Sequence, residues 1–186
     1  DRKRFREGGF MKLVIVTGMS GAGKSTVLKF LEDINFYCAD NIPPILLLKF
    51  AELFEQNGEM DKIALGVDIR GGKMFKDLFE GLNQLTAEGY EYEILFLDAS
   101  DETLINRFKE TRRSHPLSKK GSIEEGIKKE REILKDVKKK ANYVVDTSKI
   151  LTKELKEQII NLIEAENVTH FITGMALGVD LYAAEI

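Results

Sequence analysis

The sequence predicts an α/β fold of three layers, in which helices cover both faces of a parallel five-stranded sheet. Two observations support this prediction. Short β-branched runs alternate with stretches of helical periodicity, and every predicted strand ends in a polar or Gly-rich turn. Strands separated by helices of this length form right-handed βαβ units and hence a parallel sheet. Ligands bind such sheets outside the carboxyl ends of the strands, so the residues that follow each strand are candidates for a site.

Strand and helix patterns follow one another from residue 12 to residue 165. Pro44 favours the start of the second helix, Asn57-Gly58 its end, and Asp101 is expected to cap the fourth. Short apolar runs predict strands at residues 12–16, 36–39, 63–67, 93–97 and 142–145. Apolar residues three and four apart predict helices at residues 25–34, 44–56, 74–87, 101–112, 123–140 and 152–165.

Composition limits the class of protein. A length of 186 residues suits one domain, and a net charge of −3 argues against a chain that coats nucleic acid by charge alone. Cys38 is the only cysteine, which excludes an intrachain disulfide and favours a reducing, cytoplasmic setting. The longest apolar runs are far shorter than the roughly 20 residues that span a bilayer, so we expect no membrane association.

The turn after the first strand carries a phosphate-binding motif. It fits G-x-x-x-x-G-K-[ST] at every fixed position, between a predicted strand and a predicted helix. Glycines let several backbone N–H groups face the phosphates, and the helix that follows adds its positive end. The lysine reaches the β and γ phosphates and the final serine binds Mg²⁺. The motif predicts a kinase-like P-loop NTPase fold that binds ATP or GTP with Mg²⁺ through Gly18, Met19, Ser20, Gly21, Ala22, Gly23, Lys24 and Ser25.

Two strands end in an aspartate that could orient the metal ion. Asp68 follows the third strand and Asp98 ends the fourth. Either could be the Walker B acid, and Asp98 could instead cap the next helix. We favour Asp68 because the Arg70-Gly71-Gly72 loop beside it is charged and Gly-rich. Asp40, after the second strand, is either a base or ligand for a second substrate or the start of an Asx-turn.

Residues 105–140 are basic, with 13 Lys or Arg against 6 Asp or Glu. Arg112 and Arg113 precede a polar loop, which is typical of a kinase lid whose arginines close on the transferred phosphate. We interpret Lys128 to Lys140 as a solvated helix with pairs such as Glu124–Lys128. His115 is expected to be structural or exposed rather than catalytic.

Six segments together resemble the RapZ/YvcJ family of bacterial nucleotide-binding proteins. The resemblance covers about residues 11–160, and its Tyr-Cys-x-Asp-Asn-x-Pro and Arg-Arg-x-His-Pro-Leu strings are more specific than the P-loop. The segments are residues 16–25, 31–43, 67–70, 94–99, 111–118 and 145–148.

The resemblance implies a domain that binds ATP and GTP and hydrolyses them slowly. It also implies a nucleotide contact at Asp68, Ile69, Arg70 and Gly71, although Gly71 stands where the family usually has Asn. Some members act as adaptors in the decay of small regulatory RNAs, and their RNA binding is assigned to a separate C-terminal domain. We expect that domain to be absent from this chain and therefore expect no RNA binding here.

The expected organisation has three parts. Residues 1–10 form an extension or tag, and residues 11–165 form the P-loop domain. Residues 166–186 resemble a fragment of a SLOG (DprA/YpsA-like) protein, and could add one edge strand and a helix to the sheet as part of a chimera.

We expect Lys24, Asp68, Arg112 and Arg113 to carry a weak ATPase or GTPase activity, with Ser25 and Asp68 on the metal side. Two other functions stay open, a small-molecule kinase and an RNA-decay adaptor module. The sequence leaves the base preference and the oligomeric state undecided, with a homo-oligomer among the options.

Overall fold

The computed structural model describes residues 11–57, 61–69, 72–118 and 122–165. The predicted extension at 1–10, the SLOG-like segment with its added edge strand at 166–186, and the predicted contacts of Arg70 and Gly71 lie outside the described residues. Within that part of the chain, no helix is both long and apolar enough to cross a bilayer.

Strands and helices alternate as the sequence predicts. The strands are β1 (Lys12–Gly18), β2 (Tyr37–Ala39), β3 (Lys62–Gly66), β4 (Tyr92–Asp98) and β5 (Tyr143–Asp146). The helices are α1 (Lys24–Glu32), α2 (Leu47–Asn57), α3 (Gly72–Ala87), α4 (Asp101–Glu110), α5 (Ile123–Lys140) and α6 (Thr152–Ala165).

All five strands are parallel and lie in the order β2-β3-β1-β4-β5. The central strand β1 is therefore flanked by β3 and β4. Since parallel strands end at the same edge, the segments after these three strands meet at one place. The fold thus brings the P-loop between Asp68 and Asp98.

The core lies on both faces of the central strands, as the three-layer prediction requires. Val14, Ile15 and Val16 are completely buried in β1. The chain moves from β1 to β2 in one direction across the sheet and from β3 to β4 in the other, so right-handed crossovers put α1 and α3 on opposite faces. α6 packs beside α1, while α2 and α5 pack beside α3.

Two helix starts differ from the sequence prediction. Ser100, not Asp101, caps α4, because its extended backbone lets Oγ accept a hydrogen bond from the Thr103 N–H at 3.3 Å. The Asp101 carboxylate is bonded to Arg131 instead. The second helix begins with a 3₁₀ turn at Pro44–Leu46, and Pro44 occupies its first position as predicted.

Candidate functional site

The P-loop lies between β1 and α1 with its lysine folded inward. Lys24 Nζ donates hydrogen bonds to the carbonyl oxygens of Gly18 at 3.0 Å and Met19 at 3.4 Å. Gly21 and Gly23 have φ angles of 86° and 100°, which L side chains rarely adopt. The motif glycines are therefore required by the turn, and the turn gathers the lysine and the start of α1 at one point.

Gly18 is required for a second reason, the close approach of β4. A Cβ at Gly18 would lie 2.0 Å from the Leu97 carbonyl oxygen. The next N–H, of Met19, donates to that same oxygen at 2.9 Å. The P-loop is thus seated directly on the end of β4.

Asp68 is the carboxylate nearest to the P-loop lysine among the ion pairs of the described residues. Its Oδ1 lies 3.9 Å from Lys24 Nζ, and both side chains are largely buried, with exposed fractions of 16% and 12%. Ile69 beside it is buried, at 2%. The structure therefore brings Asp68 beside the lysine of the P-loop.

Asp98 is engaged elsewhere. Its carboxylate accepts hydrogen bonds from Arg131 Nη1 at 2.9 Å and Lys138 Nζ at 2.7 Å, both on α5. Burial raises the pKa of Asp98, but the hydrogen bonds from Lys138 and Arg131, the Arg131 charge and the Ala99 N–H outweigh burial and hold that pKa below its ordinary value. Asp98 thus joins β4 to α5, and it does not cap α4 either, since Ser100 does.

Asp40 touches the serine of the P-loop. Ser25 Oγ donates to Asp40 Oδ2 at 2.8 Å, and the Asn41 N–H donates to Asp40 Oδ1 at 2.7 Å. Gly66 leaves room for this carboxylate, because a Cβ there would lie 2.6 Å from Oδ1. The Asx-turn alternative is wrong, because the Ile42 N–H, two residues on, donates to the Gly66 carbonyl at 2.8 Å rather than to Asp40. Asp40 as a base or ligand stays a prediction, and its carboxylate bonds the P-loop serine.

Arg112 and Arg113 are exposed in the loop after α4, and Arg112 has a φ of 52°. The basic residue that touches the P-loop is Arg107, one turn earlier. Its Nη1 donates to the Gly21 carbonyl at 2.9 Å, and its Nη2 donates to the Thr147 carbonyl at 2.7 Å. The end of α4 thus packs on the P-loop and presents the two arginines beyond it.

Thr147 is a site residue that sequence reasoning missed. It follows β5 and is 2% exposed. Its Oγ1 accepts from Arg107 Nη1 at 3.0 Å and lies within hydrogen-bond distance of the carbonyl oxygens of Ala22 and Asp98. Its signals in the sequence are its position at the carboxyl end of a strand and its place in the segment 145–148 that contributes to the family resemblance.

A second missed group lies on α5. Glu130 is 2% exposed and accepts hydrogen bonds from Ser20 N at 3.0 Å, Ser20 Oγ at 2.6 Å and His115 Nε2 at 3.1 Å. The prediction that residues 128–140 form a solvated helix is therefore wrong at the buried Glu130. Arg131 and Lys138 keep partly exposed side chains and bond Asp98. The expectation that His115 is structural fits its burial, with 1% exposed.

Comparisons with known proteins match most of the chain to one family. Residues 11–167 match the family model of the RapZ-like N-terminal domain. Proteins named nucleotide-binding protein, from Alkaliphilus oremlandii and Clostridium kluyveri, are 59% and 54% identical over 153 and 157 residues. These alignments cover 82% and 84% of this chain but 53% and 54% of the relatives. The chain thus spans about half the length of the curated relatives it matches.

Solved structures show the same fold at low identity. Shikimate kinase from Acinetobacter baumannii, in complex with shikimate, has a TM-score of 0.58 at 19% identity, covering 86% of this chain and 96% of its own. The tunicamycin resistance protein of Deinococcus radiodurans has a TM-score of 0.58 at 14% identity, covering 82% and 95%. This likeness supports a kinase-like P-loop fold and carries no information on substrate.

Proposed function

Because the chain belongs to the RapZ-like N-terminal domain family, we propose that it binds ATP or GTP as the Mg²⁺ complex and hydrolyses the nucleotide slowly. It would do so as the nucleotide-binding part of a RapZ-like regulatory protein. One observation carries the proposal, the convergence of the Lys24 ammonium, the start of α1 and the Asp68 carboxylate on the P-loop.

The oxygen-bearing side chains at the P-loop suit Mg²⁺, since Asp40 bonds Ser25 and Asp68 lies 3.9 Å from Lys24. A serine hydroxyl and the carboxylates of Asp40 and Asp68 are hard oxygen donors, which Mg²⁺ prefers. Among the described residues, no group of three or more His, Cys, Asp or Glu side chains is arranged to hold a metal ion. We therefore infer that Ser25 and Asp68 hold the ion together with the nucleotide's own phosphates. Bound there, Mg²⁺ would neutralise charge on the phosphates.

The chain's own residues would then position and stabilise the phosphates. The N–H groups of Gly21, Gly23, Lys24 and Ser25 and the positive end of α1 would bind phosphate oxygens, and Lys24 supplies a full charge. Arg112 and Arg113 approach from the loop after α4 and stabilise the charge on the γ-phosphate as water attacks it. The bond from the γ-phosphorus to the bridging oxygen breaks, which gives the diphosphate and inorganic phosphate.

Release of inorganic phosphate tests this proposal. We expect slow, Mg²⁺-dependent release from ATP or GTP that falls about a hundredfold in Lys24→Ala, because a charge aimed at the transition state is lost. Lys29→Ala is the matched control, since Lys29 is exposed on the same helix. Equal turnover in the parent and in Lys24→Ala would refute the assignment.

Asp40 favours a second candidate function, transfer of the γ-phosphate to a small hydroxyl compound. Asp40 is exposed beside Ser25, where it could accept the proton of an acceptor hydroxyl. In that case, adding an acceptor should make the rate of ATP consumption exceed the rate of inorganic phosphate release. Asp40→Asn should remove this excess consumption while the rate of ATP hydrolysis stays the same. Equal consumption and release over a panel of hydroxyl compounds would count against the kinase.

A further inference from the structure

We propose that Glu130 is a positioning residue that fixes the P-loop and the loop of residues 111–118 to each other, so that the two act on a nucleotide as one unit. The inference rests on the proposed function, because it concerns the site where the nucleotide would bind. Residues 111–118 are called the arginine loop below, after Arg112 and Arg113.

On the P-loop side, Glu130 holds Ser20 by two atoms. Oε2 accepts from the Ser20 backbone N–H at 3.0 Å and Oε1 accepts from its hydroxyl at 2.6 Å. The pair of bonds fixes both the peptide orientation and the side-chain rotamer of Ser20. Since a P-loop works through the directions of its N–H groups, restraint at Ser20 sets the direction of the groups that follow.

On the other side, Glu130 holds His115 at the base of the arginine loop. His115 Nδ1 accepts from the Leu117 N–H at 3.2 Å, so Nε2 carries the hydrogen that is donated to Glu130 Oε2 at 3.1 Å. The ring packs against Phe108, with centroids 5.1 Å apart. His115 lies three residues after Arg112, and its position therefore limits where the two arginines can reach.

Close packing makes this link stiff. Gly126 lies one turn before Glu130 on α5, and a Cβ there would be 2.4 Å from His115 Nδ1. Phe108 also reaches the P-loop, because its ring lies 3.5 Å from where a Gly21 Cβ would be. A shift of the P-loop is thus transmitted to the arginine loop through buried contacts rather than through solvent.

Two substitutions at Glu130 show whether its hydrogen bonds are needed, because one can keep them and the other removes them. In Glu130→Gln the amide oxygen can replace Oε2 and accept from Ser20 N and His115, while the amide NH₂ donates to the Ser20 hydroxyl. Glu130→Ala removes all three bonds. Arg131→Gln is the matched control, because Arg131 is the next residue on α5 and bonds Asp98 and Asp101 rather than the P-loop.

The experiment measures the nucleotide Kd by calorimetry and trypsin cleavage after Arg112 and Arg113 by mass spectrometry, with saturating ATP or GTP and Mg²⁺. In the parent, nucleotide should slow cleavage at both arginines. Glu130→Ala should raise the Kd at least about tenfold and lose this protection even at saturation, as expected for a misplaced binding loop. Glu130→Gln should keep both properties, and Arg131→Gln should stay within about twofold of the parent Kd.

Three results would overturn the proposal. Glu130→Ala could keep the parent's Kd and protection, or the parent could bind nucleotide without protecting the two arginines. Either leaves the proposed function standing. A parent that binds no nucleotide overturns both.

If Glu130→Ala does not fold, a double-mutant cycle of Ser20→Ala and His115→Gln decides. Ser20→Ala removes the hydroxyl bond to Oε1 but keeps the backbone N–H bond, and His115→Gln removes the imidazole bond to Oε2. Because both substitutions weaken the same link, their effects on the Kd should combine to less than the product of the two. If the two substitutions act independently, their fold-changes in Kd multiply in the double variant, and this result would contradict the proposal.

Discussion

The hydroxyl of Ser20 in the P-loop donates a 2.6 Å hydrogen bond to Oε1 of Glu130, 110 residues later in the chain. The same carboxylate bonds His115. Helix α5, which is joined to the end of β4 through Asp98, therefore also contributes directly to the shape of the P-loop. The variants below test this arrangement and its surroundings one contact at a time.

Gly126→Ala should destabilise the chain although alanine favours helices. Helix propensity alone would add about 1 kcal/mol of stability. The new Cβ would meet the His115 ring at 2.4 Å from Nδ1, and overpacking of this kind costs about 1–3 kcal/mol or more. Urea unfolding measures the result, with Lys129→Ala, exposed on the same helix, as the control. A variant more stable than the parent would show that the contact is not tight.

Asp98→Asn should cost about 2 kcal/mol of stability at neutral pH, because charge-assisted bonds from Arg131 and Lys138 are lost. The folded pKa of Asp98 lies below its ordinary value of 3.8. The stability it contributes is therefore complete above pH 3.8 and is lost as pH falls through the folded pKa.

Urea unfolding between pH 7 and pH 2 tests this sign. The free energy of unfolding of the parent should exceed that of Asp98→Asn by a constant amount above about pH 5. This excess should shrink below pH 3.8. Asp136→Asn is the control, since Asp136 forms an exposed pair with Lys139 at 3.5 Å. A difference that grows on acidification would contradict the account.

Arg107→Lys should weaken nucleotide binding although it keeps the charge. Arg107 uses two nitrogens, one on the Gly21 carbonyl and one on the Thr147 carbonyl, and a lysine cannot span both. We expect the Kd to rise about tenfold as the P-loop loosens. Lys109→Ala, exposed on the same helix, should leave the Kd unchanged. An Arg107→Lys variant with the parent's Kd would mean that the P-loop holds its shape without this contact.

Cys38 should react slowly with iodoacetamide in the folded chain. Burial, and next the charge of Glu32, raise the pKa of its thiol to about 12, so little thiolate is present at pH 8. Alkylation in urea should be at least about a hundredfold faster than in buffer, because the unfolded thiol has an ordinary pKa. Similar rates in the two conditions would show that the thiol is not protected.

Two features could be predicted from sequence because each depends on local patterns. They are the order of strands and helices and the position of the P-loop between β1 and α1. The P-loop needs glycines with positive φ, and the parallel sheet follows from strands joined by helices. The choice between Asp68 and Asp98 could not be made locally. Both follow strands that flank β1, and they differ in the partners that α5 supplies from 33 and 40 residues beyond Asp98.

Glu130 was missed because charge content dominated the interpretation of its helix. The buried face of α5 nevertheless gives a signal. Ile127, Leu134 and Val137 are buried, and Glu130 lies three residues after the first and four before the second. A charged residue on an apolar stripe of this spacing is either paired or functional. The roles of Arg70 and Gly71 stay predictions.

The measurement that tests the central claim most directly is a thermal-shift titration with ATP, GTP and their Mg²⁺ complexes, on the parent and on Lys24→Ala. A ligand that binds the folded state raises the melting temperature by mass action. We predict a rise in the parent that grows with nucleotide concentration and disappears in Lys24→Ala, while Lys29→Ala behaves as the parent. The same rise in the parent and in Lys24→Ala, or no rise with any nucleotide, would contradict nucleotide binding at this P-loop.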